Sequence, residues 1–273
     1  MSIRLVVTDI DGTFFDDQHH YDVDRFNEQY QEMHRQGIHF AVASGNDLIH
    51  LHDVFEAKSP LQTFVAENGA NIVDGQKPIA QSLIKPAILE PLIDRLESDP
   101  LFEGAHIHLS GKQGAYARKD DPSIHSELVR YYIPKMMAVD DLRDVSDDIY
   151  KLNLGFDQGE VMAEAKKINR LFGQHVFATP SGFGSIDVIP KGVNKAYGID
   201  QLQQHWDLTP DEIMAFGDNF NDLEMLQHVK HGYVMKNAPQ AMHQFDLPVT
   251  PLDNNESGVL DMLDRLLVGQ LPL

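Results

Sequence analysis

The sequence predicts an α/β protein: a parallel sheet covered by helices on both faces, with a second, α+β domain inserted into it. Three observations carry that expectation. Short apolar runs alternate with amphipathic stretches at both ends of the chain, the middle of the chain alternates in a different way, and 273 residues exceed the size that one hydrophobic core usually serves.

In the first part, residues 3–8, 38–43 and 63–66 are short apolar runs that read as buried strands, and residues 23–35 and 48–57 carry apolar side chains at helical spacing. The last part repeats the pattern, with strands expected at 213–216 and 232–235 and helices at 195–205 and 222–229. Strand–helix alternation makes neighbouring strands parallel, a Rossmann-like core whose ligand site lies at the carboxyl ends of the strands. Between about 83 and 189 the runs 105–109, 115–118, 151–155, 174–179 and 185–188 alternate as antiparallel strands do, with helices expected at 88–97 and 161–171. Residues 85–189 therefore read as an inserted α+β cap domain, and 1–84 with 190–273 as a discontinuous core. No internal repeat or low-complexity segment interrupts this organisation.

Composition narrows the function. Forty-two acidic against 22 basic residues give a net charge of −20, and no run of Lys or Arg appears, so nucleic acid and anionic membranes are not expected partners. No stretch approaches the roughly 20 apolar residues of a membrane helix. The first apolar run is too short for a signal-peptide core. Cysteine is absent, which removes disulfides, thiolate zinc sites and thiol nucleophiles and fits a cytoplasmic protein.

Four motifs carry chemistry. Asp9-Ile10-Asp11-Gly12-Thr13 follows the first strand directly, where residues i and i+2 point to one side and Gly12 lets the backbone turn. Two carboxylates so close coexist cheaply only around a cation or a shared proton, and Mg²⁺ suits an all-oxygen site of this kind. Taken alone, Asp-x-Asp is more often an acidic turn capping a strand. Gly217-Asp218-Asn219-Phe220-Asn221-Asp222 also follows a strand; with Asp218 starting a helix, Asn221 and Asp222 share its face, although the same residues serve as an ordinary N-cap. Ser44-Gly45-Asn46 ends a strand and opens a helix, offering a hydroxyl and free N–H groups to an anion or simply capping the helix. Lys195, at the start of a helix whose dipole it opposes, calls for an anionic partner unless it is solvated.

These four motifs, in this order, resemble the haloacid dehalogenase superfamily of aspartate-nucleophile phosphatases, and within it the Cof-type branch with a class IIB cap and its bacterial sugar phosphatases. The resemblance covers nearly the whole chain, with Ala66-Glu67-Asn68-Gly69-Ala70 and residues 179–186 (TPSGFGSI) in support. It implies Asp9 as nucleophile and Asp11 as general acid/base. Ser44 and Gly45 match the phosphate-binding motif, and Lys195 the lysine that neutralises nucleophile and phosphate. Asp218 matches the metal-binding carboxylate, joined by the Asp9 carboxylate and the backbone carbonyl of Asp11 around Mg²⁺. Asn221 and Asp222 match the pair that orients phosphate and metal-bound water. Many relatives have Arg where this chain has Asn46, which implies a different substrate contact there.

The implied activity is hydrolysis of small phosphate monoesters, sugar phosphates first, through an aspartyl-phosphate on Asp9. A phosphomutase and a catalytically silent regulatory protein are the alternatives. Asp11 must hold a proton to serve as general acid, so its carboxyl is expected to point away from the metal. The pairs His50/His52 and His106/His108 have ligand-like spacing but no third ligand, and solvated or edge-strand histidines are expected. Trp206, Met136 and Met137 read as packing residues. The Gly-rich turns Gly111-Lys112-Gln113-Gly114 and Ser181-Gly182-Phe183-Gly184 are weak candidates for substrate contacts.

Overall fold

A computed structural model describes residues 2–157, 161–182 and 184–271; Phe183 lies outside the described residues. The chain divides into two compact units. One comprises the residues up to Ser44, His52–Ala80 and the chain from Asn194 onward; the other comprises Gly45–Leu51 and Gln81–Val193.

The chain begins with β1 (Leu5–Thr8), α1 (Val23–Arg35), β2 (His39–Ala43), α2 (Leu48–Phe55), β3 (Thr63–Ala66), β4 (Asn71–Asp74) and β5 (Lys77–Gln81). It continues through α3 (Pro86–Ser98), β6 (His106–Gly111), β7 (Ala115–Arg118), α4 (Glu127–Tyr132), β8 (Met136–Val139) and β9 (Ile149–Gly155). Then come α5 (Met162–Phe172), β10 (Val176–Gly182) and β11 (Ser185–Pro190), followed by α6 (Lys195–Trp206), β12 (Ile213–Gly217), α7 (Leu223–His228), β13 (His231–Val234) and α8 (Gly258–Leu267).

The first unit is built on a seven-stranded sheet in the order β13-β12-β1-β2-β3-β4-β5. Its first five strands run parallel, with Thr8 level with both Phe216 and Val42, and β4 turns back antiparallel to β3. The expected α/β class is borne out. Period-two alternation sends Leu5, Val7, Ala41, Ala43 and Val65 to one face, where they pack with Ile199 and Leu202 of α6 and Met225 and Leu226 of α7. On the other face, Phe40 and Phe64 meet an aromatic cluster: Phe26 lies 5.0 Å from Phe40, and Phe55 lies 6.0 Å from Phe64. Buried on both faces, these strands are near-continuous apolar runs. Close approach of α6 to β3 depends on Gly198, because a β-carbon there would strike the Val65 side chain.

The second unit holds a six-stranded sheet in the order β10-β11-β9-β6-β7-β8. Neighbours are antiparallel except β7 and β8, which run parallel. One face is apolar: Ile107, Leu109, Leu152, Leu154, Ile186 and Val188 pack under Leu92, Ile93 and Leu96 of α3 and Ile168 of α5. The registers His108↔Asn153, Ser110↔Lys151 and Asp187↔Asn153 put a polar set on the opposite face. Asn153 Nδ2 donates to Asp187 at 2.9 Å, and Lys151 Nζ lies 3.6 Å from the same carboxylate.

One expectation needs correction. His50 and His108 are buried at 3% and 5% exposure, and β6, which carries His108, is an interior strand. His108 Nε2 shares a 2.8 Å hydrogen bond with the Ser123 hydroxyl, and His50 packs against the Tyr131 ring at 5.1 Å. Local partners make burial of a neutral imidazole affordable there. Trp206 is partly buried and stacks on His39 at 4.0 Å.

Candidate active site

Three carboxyl ends of the first sheet meet at the site. β1 is flanked by β12 and β2, so the residues after Thr8, Val42 and Phe216 emerge side by side. Asp9 continues the ladder by donating its N–H to Phe216 at 3.0 Å. Beyond it the chain turns back on Ile10, whose carbonyl accepts from the N–H groups of Thr13 (3.2 Å) and Phe15 (2.8 Å). The aromatic cluster anchors the far side of this turn, with Phe15 stacked on Tyr21 at 5.4 Å and Phe14 lying 5.0 Å from both Tyr21 and Phe26. Gly12 has φ +75, and a β-carbon there would fall 2.8 Å from Asp218 Oδ2, so the loop can lie on Asp218 only as glycine.

Lys195 stands at the centre. Only 1% exposed, its ammonium donates to Asp9 Oδ1 and Asp222 Oδ1, each at 2.5 Å. Asn194 caps α6 by accepting from the Tyr197 N–H at 2.8 Å, which places Lys195 in the first turn. The anion that a lysine at this position requires is the Asp9–Asp222 pair. Burial alone would lower the Lys195 pKa, but Asp222 and Asp9 outweigh it and the net shift is upward, so the amine stays charged.

Asp9, Asp218 and Asp222 each bring a carboxylate oxygen within 4.8 Å of the others, the one such group among the described residues. Burial pushes Asp9 upward, and Asp222 and Asp218 add to this against the opposing pull of Lys195. Burial and the nearby Asp222 likewise raise Asp218 to about 7. Three carboxylates facing one ammonium leave negative charge unbalanced. Oxygen donors with no imidazole or thiolate among them fit a hard divalent cation. Asp222 is already engaged: Oδ1 accepts from Lys195, and Oδ2 accepts from the N–H groups of Asp218 (3.0 Å) and Asn219 (3.1 Å). Asp9 and Asp218 are thus the side chains placed to hold a cation, and Asp222 orients both Lys195 and the Asp218 backbone.

Asp11 lies apart from that cluster. Its Oδ1 is 3.3 Å from Nδ1 of His19, and both side chains are 39% exposed. His19 has φ +59 in a turn held by Asp16, whose Oδ1 accepts from the N–H groups of Gln18 and His20 at 2.9 Å each. Ser44, 2% exposed, ends β2; its N–H donates to Val65 and its carbonyl accepts from Asn68, both at 2.9 Å. Gly45 and half-buried Asn46 group with the second unit, where Lys151 Nζ donates to the Gly45 carbonyl at 2.5 Å. Asn221 is half-buried in the 3₁₀ turn Phe220–Asp222. Asn219 caps that turn and α7 begins only at Leu223, so Asp218 precedes the helix rather than starting it. The glycine–aspartate corner leaves the Asp218 carboxylate free of capping duty.

Three residues to which the motifs assign no role also touch this site. Thr13, 1% exposed, donates its hydroxyl to Asp218 Oδ1 at 2.9 Å. Asn237 donates to the Gly12 carbonyl at 2.7 Å, and Asn254 to the Phe15 carbonyl at 3.1 Å. The one signal for Asn237 was its place just past β13, at the same carboxyl edge as the motifs.

A family model described as haloacid dehalogenase-like hydrolase matches residues 6–263. The chain is 34% identical over 272 residues to 5-amino-6-(5-phospho-D-ribitylamino)uracil phosphatase YbjI of Escherichia coli, covering 100% of this chain and 99% of that protein. It is 28% identical over 261 residues to an HMP-PP phosphatase of an Enterobacter species, covering 93% of this chain and 92% of that one. Among solved structures, SMU.1108c from Streptococcus mutans superimposes with a TM-score of 0.90 at 33% identity, over 98% of this chain and 100% of that one. The resemblance drawn from the four motifs is borne out: the chain belongs to the haloacid dehalogenase-like hydrolase family, and it is an enzyme whose named relatives are phosphatases.

Proposed function

We propose that the chain is a cytoplasmic Mg²⁺-dependent phosphatase that hydrolyses small phosphate monoesters, phosphorylated sugars and sugar alcohols above all, through an aspartyl-phosphate on Asp9. The observation that carries this reading is Lys195 held between Asp9 and Asp222 with Asp218 completing the carboxylate cluster. Asp9 attacks phosphorus, and Lys195 neutralises the charge that nucleophile and phosphate bring together. Asp11, whose carboxyl lies beside His19 outside the cluster, protonates the leaving alkoxide and then takes a proton from the attacking water. Ser44, Gly45 and Asn221 hold the phosphate, with Asp222 and Asn46 in support. Asp9, Asp218 and the Asp11 carbonyl would hold Mg²⁺, which when bound would supply positive charge to offset that of the phosphate. Burial and the neighbouring Asp222 and Asp218 work against a negative charge on Asp9, and a cation in the carboxylate cluster would offset them.

We assign substrate choice to residues 85–189, read as a cap, whose sheet gathers His108, Ser110, Lys151, Asn153 and Asp187 on one face. The Escherichia coli relative is named for a phosphorylated ribityl compound, which makes such polyol phosphates the first to try. The test is a panel of phosphometabolites assayed for released phosphate with Mg²⁺ and without any bisphosphate activator, wild type beside Asp9→Asn. The amide keeps the shape and cannot act as nucleophile, so turnover should vanish while folding survives. Substantial turnover by folded Asp9→Asn would end the covalent reading.

A further inference from the structure

We propose that Asn237 and Asn254 are positioning residues that lock the backbone of the Asp9–Thr13 loop against Asp218. The inference rests on the reading of Asp9 and Asp218 as the reacting centre. Its starting point is the Gly12–Thr13 peptide. The Gly12 carbonyl accepts from Asn237 Nδ2 at 2.7 Å, while the N–H on the other side of that peptide donates to Ile10 at 3.2 Å. Gripped at both ends, the peptide cannot rotate, and its orientation decides where the Thr13 hydroxyl lies. That hydroxyl donates to Asp218 Oδ1 at 2.9 Å. One hydrogen bond thus sets the plane of a peptide that in turn sets the orientation of a carboxylate.

Asn237 is itself oriented. Its Oδ1 accepts from the Asn254 N–H at 3.2 Å, which leaves the amide NH₂ facing Gly12. Asn254, 3% exposed, donates Nδ2 to the Phe15 carbonyl at 3.1 Å and to Asp17 Oδ1 at 3.0 Å. Two hydrogen-bonded asparagines from the C-terminal third therefore hold the chain from the first motif onward at Gly12, Phe15 and Asp17. Neither caps a helix. Asn237 is exposed, so removing it leaves the fold standing and tests position alone.

The experiment compares wild type, Asn237→Ala, Asn237→Asp and Asn255→Ala in steady-state hydrolysis of one panel ester, with Mg²⁺ titrated into metal-free protein by calorimetry. Misplacement by 1 Å costs about 10²-fold, and a smaller shift of the loop is expected to lower kcat about 10-fold with KM changed less than about twofold. Asn237→Asp keeps the acceptor for Asn254 but not the donor for Gly12, and should fall as far as the alanine. Both variants should bind Mg²⁺ several-fold more weakly, with Asp218 no longer fixed. Asn255→Ala, which removes bonds to Asp17 and a long one to Asn254 Oδ1 but leaves the Asn237–Gly12 bond in place, should stay within about twofold of wild type. A drop in melting temperature with kcat and Mg²⁺ affinity unchanged in the Asn237 variants would make the relay structural and overturn the proposal. If wild type hydrolyses no ester, the phosphatase reading fails separately, and the calorimetry alone judges the relay.

Discussion

Replacing Asp218 by Asn should stabilise the metal-free protein and remove the stabilisation expected of Mg²⁺ at the proposed site in wild type. Burial and the neighbouring Asp222 raise Asp218 from 3.8 to about 7. An acid with a raised pKa keeps, in the folded state, a proton that the unfolded chain releases. Its favourable contribution is present at low pH and is lost as pH climbs from about 4 to about 7. The rise corresponds to about 4 kcal/mol of penalty once both states are ionised. Asparagine carries no such penalty and still offers an oxygen to the Thr13 hydroxyl, at about 1 kcal/mol less than a charged acceptor. The net expectation in EDTA at pH 8 is a gain of about 3 kcal/mol for Asp218→Asn, falling below about 1 kcal/mol at pH 5. With Mg²⁺ at 100 times its dissociation constant, wild type should recover about 2.7 kcal/mol and the variant little. Urea unfolding followed by circular dichroism, at both pH values and with or without Mg²⁺, measures all four numbers. A variant less stable than wild type in EDTA at pH 8 would refute the account of Asp218 as a carboxylate raised by burial and by Asp222.

Three further expectations follow from the same geometry. Asp11→Asn should slow aspartyl-phosphate formation from a sugar phosphate by about 10²–10⁴-fold but affect a nitrophenyl ester far less, since nitrophenolate leaves unaided; rapid-quench kinetics showing equal slowing would refute the general-acid role. Gly198→Ala, which drives a methyl into Val65, should cost about 1–3 kcal/mol in urea unfolding and lower kcat by shifting the helix that begins at Lys195, whereas a stabilised, active variant would contradict that packing. His108, lowered by burial from 6.5 to about 4, should make folding lose about 3 kcal/mol as pH falls between those values, because only the unfolded chain takes up the proton. That pH slope should shrink in His108→Gln, and an unchanged slope would assign it elsewhere.

The parts of the fold legible in the sequence were those where one physical signal dominated. β1, β2, β3 and β12 are buried on both faces and so read as unbroken apolar runs, and α1 and α6 show a clear 3.6 period. β5 contains Pro78, and its residues are exposed or half-buried, so it left no apolar trace. α8 was also missed, although its inner face buries Val259, Leu260, Leu263 and Leu266. At the site, the motifs flagged Asp9, Lys195, Asp218 and Asp222 because strand ends and helix starts concentrate side chains at one sheet edge. The direct bond between Lys195 and Asp222 joins residues 27 apart, and the Asn237–Gly12 bond joins residues 225 apart. Such pairings depend on which strands become neighbours, and a local pattern cannot encode that.

The central position of β1 has a consequence during synthesis. Its partner on one side, β2, follows within about 40 residues, but its partner on the other, β12, lies beyond residue 212. At about 5–20 residues per second, the nascent chain carries β1 with one unpaired edge for roughly 10–40 s. An open edge on the apolar strand Leu5–Thr8 is a template for pairing with other chains, so this interval is when mispairing is most favoured. Lys195 and Asp218 arrive in the same late stretch, which means that no partly made chain can gather the carboxylate cluster or use it.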